Sequence, residues 1–455
     1  MEFVSDIGFL SVELSFYTMK KVGVLFIIFL ALAAFVYFYE ILGEGEREEA
    51  RSLEESLLRT RQEEITAVEI LQPQQEGILL RKEEGDWMLE RPVKTSADNS
   101  TVDVLLRDLT RAVRDRTFSE GGARLEEYGL HEPPMTLRIQ ANGKEHTLLI
   151  GNKDFTGSHV YVQFQGEPEV FLTSQVLFST AGKELMEWRD KRVLVIDRDK
   201  IQVIEVINSS NTIRIIRQDE EWHLEAPIQE HADQNAVSSL LSTVEFGEAQ
   251  EFVSDEAQEL KSYGLDPPTA AIRVQHEEEE GWRVLELGQQ KGELTLARNP
   301  ERASVFTVSQ EIRDKLSQDV LAFRDKSVLD VEQNEIARIV IHRKEDEEIA
   351  LRYEDYTWIV ESPDAQKDQE VLAYKFWYPI TEIRFLSIQD EESDLMNFPE
   401  PDVEVIVTLN DGSQRTFVFA ANGDRYWARK VESARQGTIS QEDFEKLQFK
   451  IEDMF

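Results

Sequence analysis

Hydrophobic and polar positions change their period several times along the chain. From Val22 to Tyr39, VGVLFIIFLALAAFVYFY, eighteen residues pass without a charge. As a helix they would span about 27 Å, close to the apolar thickness of a bilayer. Lys20 and Lys21 precede the run, Tyr37 and Tyr39 suit a headgroup-level aromatic belt, Ile41 and Leu42 extend it past Glu40, and the acidic GEGEREE follows. The positive-inside bias then predicts one transmembrane helix within residues 19–43, with a cytoplasmic N-terminus and the bulk of the chain extracytoplasmic at the inner (cytoplasmic) membrane. A cleaved signal peptide ending near Ala31-Leu32-Ala33 is the rival reading, but the apolar run continues through FVYFY, beyond the roughly 7 to 15 residues of a signal core. Residues 1–18 read as an N-terminal extension, because Met19-Lys20-Lys21 is a natural beginning for such a segment. Residues 44–64 are charged and good helix formers and read as a stalk; Leu53, Leu57 and Leu58 supply one apolar patch, short of a sustained coiled-coil seam.

Beyond residue 64 the period drops to two. ITAVEIL and GILLRKEEGDWMLE alternate apolar and polar residues around Gly85-Asp86, as a strand pair does. Asp98 then precedes Val102, Leu105, Leu106, Leu109 and Val113, whose spacing of three and four makes one apolar helix face with Asp98 as its cap. MTLRIQ and HTLLIG flank Ala141-Asn142-Gly143-Lys144, a strong hairpin signal. VYVQF and EVFLTS predict a second hairpin, and a helix from about Ser174 to Trp188 closes the unit. The class expected is α+β with mainly antiparallel sheet.

The same unit recurs. EGDWMLERPVKTSAD around Trp87 matches DEEWHLEAPIQEHAD around Trp222, 135 residues on. Tyr128-Gly129-Leu130 with Pro133-Pro134 returns as Tyr263-Gly264-Leu265 with Pro267-Pro268, Arg189-Asp190-Lys191 returns as Arg324-Asp325-Lys326, and the cap Asp98 returns as Asp233. A weaker third copy begins at YTWIVESPDAQKD, with Trp358 and Pro363 in register and Asn410-Asp411-Gly412 at the hairpin; it has Asn397-Phe398-Pro399-Glu400-Pro401 in place of Tyr-Gly-Leu. The expected organisation is unit 1 over 65–196, unit 2 over 197–331 and a divergent unit 3 over 332–455.

The basic anchor, the Trp-x-Leu-x-x-Pro then Ala-Asp element, the Tyr-Gly-Leu then Pro-Pro element and Arg-Asp-Lys-x-x-Leu together resemble the bacterial family called domain of unknown function 4340. The resemblance spans nearly all of residues 19–329 and is weaker from 330 to 455. It implies a single-span envelope protein, often encoded beside ABC-type transporter permeases and a gliding-motility auxiliary protein, and it brings no catalytic residues with it.

Composition narrows the chemistry. With 50 basic and 89 acidic side chains among 455 residues, the formal charge is -39, which would repel a phosphate backbone and excludes nucleic acid as an expected partner. The same charge should hold the chain away from anionic headgroups. Hydrophobic residues at 41% suffice for packed cores, and the absence of cysteine removes disulfides, thiolate metal sites and cysteine nucleophiles. The seven histidines, 131, 146, 159, 223, 231, 276 and 342, form no His-Glu-x-x-His pattern. His223 and His231 share one copy, where copy one has Met88 and Thr95 or Ser96, so no metal site is expected. Neither a Gly-x-Ser-x-Gly elbow nor a phosphate-binding Gly-rich loop occurs. Carboxylate pairs are too common in so acidic a chain to mark a glycosidase, and the runs Glu277 to Glu280 and Asp346-Glu347-Glu348 lack the ligand spacing and bend glycine of a calcium loop. Trp87, Trp222 and Trp358 recur once per unit, as core aromatics do, and Pro92, Pro227 and Pro363 are placed to end the strand that carries each. Gly129 and Gly264 suit a backbone geometry costly to other residues, and the Arg-Asp-Lys charges suit a local ion pair.

The expectation is thus a non-enzymatic, membrane-anchored accessory or scaffold protein of the cell envelope, with protein partners in an ABC-type transporter or motility-related complex. It has no catalytic, cofactor or metal residues and no small-molecule substrate. A polysaccharide- or peptidoglycan-binding module is the alternative, and a membrane-tethered hydrolase ranks third.

Overall fold

The computed structural model describes residues 37, 56–119, 124–256, 258–277, 280–344, 346–389, 398–433 and 435–455. It divides into two compact bodies, residues 1–191 and 192–455. The first holds one nine-stranded sheet made of β1 (Ile65–Leu71), β2 (Ile78–Glu83), β3 (Asp86–Arg91), β4 (Thr95–Ser96), β5 (Arg116–Phe118), β6 (Met135–Ala141), β7 (Lys144–Lys153), β8 (His159–Phe164) and β9 (Val170–Ser174), in the order β4-β3-β2-β1-β6-β7-β8-β9-β5. Two antiparallel meanders meet where β1 pairs with β6, and the strand following the helix crosses to the far edge.

The second body holds two more sheets. Strands β10 (Ile201–Asn208), β11 (Thr212–Gln218), β12 (Glu221–Ala226), β13 (Glu230–His231), β14 (Glu251–Ser254), β15 (Ala270–His276), β16 (Arg283–Lys291), β17 (Leu294–Arg298) and β18 (Val305–Val308) repeat the same order. The third sheet has eight strands: β19 (Ile336–Arg343), β20 (Ile349–Glu354), β21 (Thr357–Ser362), β22 (Glu370–Val371), β23 (Val403–Leu409), β24 (Gln414–Asn422), β25 (Arg425–Lys430) and β26 (Arg435–Ile439). The divergent copy therefore keeps the topology, and the place of the ninth strand is taken by a single Gln389–Gln436 bridge beside β26.

Each sheet receives one longer helix, whose apolar stripe makes the core. Helix Asn99–Arg111 buries Val102, Leu105, Leu106 and Leu109, and helix Gln234–Glu245 buries Val237, Leu240, Leu241 and Val244. The first ends before Val113, which is exposed and bridges to Ser56 instead of continuing the stripe. Asp98 accepts the Thr101 N–H at 2.7 Å and Asp233 the Ala236 N–H at 3.0 Å, so the expected caps form. In the third unit Leu372 holds the cap position without a side-chain bond, and Pro379 lies inside helix Ala373–Thr381. Substituting Asp233 by alanine is expected to cost about 1 kcal/mol, speeding hydrogen exchange in the first turn of Gln234–Glu245 about 5-fold; unchanged exchange there would show that the cap carries no weight.

The expected α+β architecture with an N-terminal transmembrane helix needs correction. The described chain is mostly antiparallel sheet. The predicted closing helix over 174–188 is two short pieces, Val176–Ala181 and Leu185–Trp188, separated at Gly182-Lys183. Among the described residues no helix is long and apolar enough to cross a membrane; Asn99–Arg111 has 13 residues and one polar face, about 20 Å against the roughly 30 Å required. The expected inner-membrane placement by a single span is corrected with it. The run 22–39 on which it rested lies, apart from Tyr37, outside the described residues, as does the stalk segment up to residue 55.

The remainder of that segment opens the first unit. Ser56 bridges Val113, Arg192 bridges Glu248 and Ser327 bridges Arg384, so each unit starts with one residue paired just past the end of its own helix. The two residues that follow, Leu57-Leu58, Val193-Leu194 and Val328-Leu329, are buried in all three units. Leu57 and Leu58 are core residues, in one cluster with Leu105 and Leu109, where the sequence suggested part of an apolar patch on a helical stalk.

Candidate functional site

The motifs shared by the copies are used inside each unit. The Ala-Asp element and the Arg-Asp-Lys element meet: Ala97 bridges Arg189 and Asp98 donates its N–H to the Trp188 carbonyl, while Ala232 bridges Arg324 and Asp233 donates to Phe323. Trp188 and Phe323 are fully buried at that junction. Trp87 and Trp358 are buried as expected, whereas Trp222 is only half-buried, with the Arg217 guanidinium over its ring at 5.9 Å. Gly129 and Gly264 have φ of +69° and +68°, the left-handed geometry anticipated for Tyr-Gly-Leu.

A second glycine pair escaped the reading of the sequence. Gly151 and Gly288 sit at a register shift in β7 and β16, beneath the carbonyl of Tyr128 or Tyr263. A Cβ on either would lie 2.2 Å from that oxygen. The Asn152 N–H donates to Tyr128 O at 2.8 Å, so the bulge receives the Tyr-Gly-Leu turn. The signal available was a glycine inside an otherwise alternating strand, LLIGNK and LELGQQ.

A cleft of about 1080 Å³ in the second body has the Arg-Asp-Lys element of unit 2 on one wall and β25–β26 of unit 3 on another. Glu230 on β13 is its hub. Arg324 donates through Nε at 2.6 Å and Nη2 at 3.0 Å, one bond to each carboxylate oxygen, and Arg435 adds a further bond to Oε2. Lys430 pairs with Asp330 at 2.8 Å. Arg324 and Lys430 are buried and Glu230 is nearly so, which makes this a cross-unit clamp. Both Glu230 oxygens are taken by guanidinium donors, which makes these charge-assisted bonds the strong kind.

The histidines fall into separate settings. His276 is buried and accepts the Asp197 N–H at 3.2 Å through Nε2. His146 meets the Phe164 ring, His159 lies between Asp115 and Asp154, His342 lies 3.4 Å from Glu348, and His131 is exposed. His223 and His231, which the sequence separates by eight residues, are brought together on β12 and β13 with ring centroids 4.2 Å apart. Of the acidic runs, Asp346 pairs with Arg343 at 3.3 Å, while Glu278 and Glu279 lie outside the described residues.

Nothing among curated proteins and nothing among solved structures matches the chain. One family profile, described as "Domain of unknown function (DUF4340)", matches twice, over residues 87–245 and 222–392. The two matches begin 135 residues apart, at Trp87 and Trp222, the offset of the internal repeat, and together they cover about two thirds of the sequence. On that coverage, and on the motifs that build each sheet unit, the chain belongs to the DUF4340 family.

Proposed function

We propose that this chain is a non-catalytic accessory or scaffold protein that presents tandem sheet units to the protein components of an ABC-type transporter or motility-related complex. The observation that carries the reading is that the residues recurring with the unit are consumed by its architecture. Tryptophans pack, aspartates cap helices, glycines admit the Tyr-Gly-Leu turn, and Arg324 clamps Glu230. Repetition of a scaffold multiplies surface without multiplying a reaction centre. The kind of complex is inferred from the gene neighbourhood that the family resemblance implies.

The test is affinity purification of the full chain from cells lysed in mild detergent, compared with a chain beginning at Ser56, with co-purifying proteins identified by mass spectrometry. Recovery of a permease or its ATPase with both forms is expected. Recovery of neither would overturn the reading.

One observation favours the polymer-binding alternative. Tyr374 and Tyr378, four residues apart on helix Ala373–Thr381, are 60% and 52% exposed, and two such rings could stack on sugar faces. Binding of purified envelope polysaccharide that is lost in a Tyr374→Ala, Tyr378→Ala variant would select that reading.

A further inference from the structure

Glu221, His223 and His231 form a cluster that neither the clamp nor the sheet core uses. We propose that these three side chains bind one divalent transition-metal ion of the zinc type at the edge of the second sheet. His223 lies directly opposite His231 in the β12–β13 register, so the two imidazoles leave the sheet on the same face. Glu221 precedes His223 by two positions on the same strand and therefore shares that face.

The arrangement is held from both sides. The β11–β12 turn, with Asp219 and Glu220 at φ +49° and +70°, fixes where Glu221 begins its strand. The Ala232–Arg324 bridge and the Asp233 cap hold the chain immediately after His231. The ligands therefore do not have to be gathered from a loose loop.

Distances fit one ion. A single donor atom from each residue can be chosen so that all lie within 4.8 Å of one another, and Glu221 Oε2 is 3.4 Å from His231 Nδ1. Tetrahedral bonds of about 2.1 Å separate neighbouring ligands by about 3.4 Å. Glu221 and His231 also border the cleft, which leaves a fourth position for water or a group from a bound partner. Two imidazoles and one carboxylate suit zinc-type ions, whereas calcium and magnesium prefer all-oxygen shells.

The sheet itself does not require these residues. The corresponding pairs are Met88 with Ser96 in unit 1 and Ile359 with Glu370 in unit 3, neither of which offers two nitrogen ligands. The second unit alone carries the pair of histidines at this register. An ion there would tie β13, a two-residue strand, to β12 one position from Glu230, the residue that Arg324 and Arg435 grip. Metal binding and the cross-unit clamp would then act on the same short strand.

Zinc titration of the full chain by calorimetry, with cobalt(II) absorption as a spectroscopic probe, tests the assignment. One saturable zinc site per chain is expected, with tetrahedral cobalt bands that zinc abolishes and a large excess of calcium leaves in place. His231→Asn and Glu221→Gln should each weaken zinc binding at least about 10-fold, the smallest loss seen even for outer-shell partners of a metal. Glu221 is 60% exposed, so its variant retains the fold and keeps the test valid if a histidine variant unfolds. An undiminished site in the His223→Asn, His231→Asn double variant would overturn the proposal. Displacement of the ion by calcium would do the same, by revealing only diffuse attraction to an acidic chain.

Discussion

Gly151→Ala is expected to destabilise the first unit by about 3 kcal/mol, the upper part of the usual range for overpacking. The added methyl would stand 2.2 Å from the Tyr128 carbonyl oxygen and 3.1 Å from Leu130. That oxygen belongs to backbone and accepts the Asn152 N–H, so it cannot swing aside as the end of a long side chain would. Relief requires moving the Tyr-Gly-Leu turn away from β7, which also disturbs the Tyr128–Tyr161 stack at 4.4 Å between centroids. Hydrogen exchange of peptides from β6 and β7 should lose protection by about 100-fold, since 1.4 kcal/mol is tenfold. Gly143→Ala is the comparison: its φ of +71° makes alanine costly by about 1 kcal/mol, but its Cβ would meet no atom within 4 Å. Equal effects of the two substitutions would mean that backbone conformation, and not the close approach, governs the site. A local readout is needed because a chain of several units does not unfold in two states.

Glu230→Ala should destabilise the second body by about 3 kcal/mol, the range for removing one partner of a buried ion pair. Glu230 keeps 14% of its side-chain surface, Arg324 9% and Arg435 19%, so solvent screens this cluster little. The two guanidinium groups would remain half-buried or deeper without the carboxylate that joins them. Because Arg324 belongs to unit 2 and Arg435 to β26, the loss should appear in both sheets, as faster exchange at β13 and at β26 together. A double-mutant cycle with Arg435→Ala should give a coupling of about 1 to 3 kcal/mol. Additive single effects would remove the clamp from the account.

The units were readable from residues because the physics that forms them is local. Period-two alternation, Asn142-Gly143 at a tight turn, and aspartate before an apolar stripe each act within a few residues, and their recurrence after 135 positions marked the copies. Closing helix 174–188 was misread because Gly182 interrupts a run whose composition is otherwise helical. Leu57 and Leu58 looked like a stalk patch because their partner is Ala112, whose carbonyl accepts the Leu57 N–H from 55 residues along the chain. A pairing of that range leaves no periodic trace.

The histidine pair shows the same limit more sharply. Spacing arguments search for ligands on one helix, at intervals of three or four. Here the ligands sit on two adjacent strands, and Pro227 and the reversal of the chain between β12 and β13 make residues 223 and 231 opposite neighbours. By itself, then, the sequence determined the number of sheet units, the hairpins and the longer helix of the first, the caps Asp98 and Asp233, and the family. Tertiary structure alone decided the close approach at Gly151 and Gly288, the clamp of Glu230 by Arg324 and Arg435, and the convergence of Glu221, His223 and His231. Those depend on cross-strand register and on contacts up to 205 residues apart, which local propensity and periodicity do not encode.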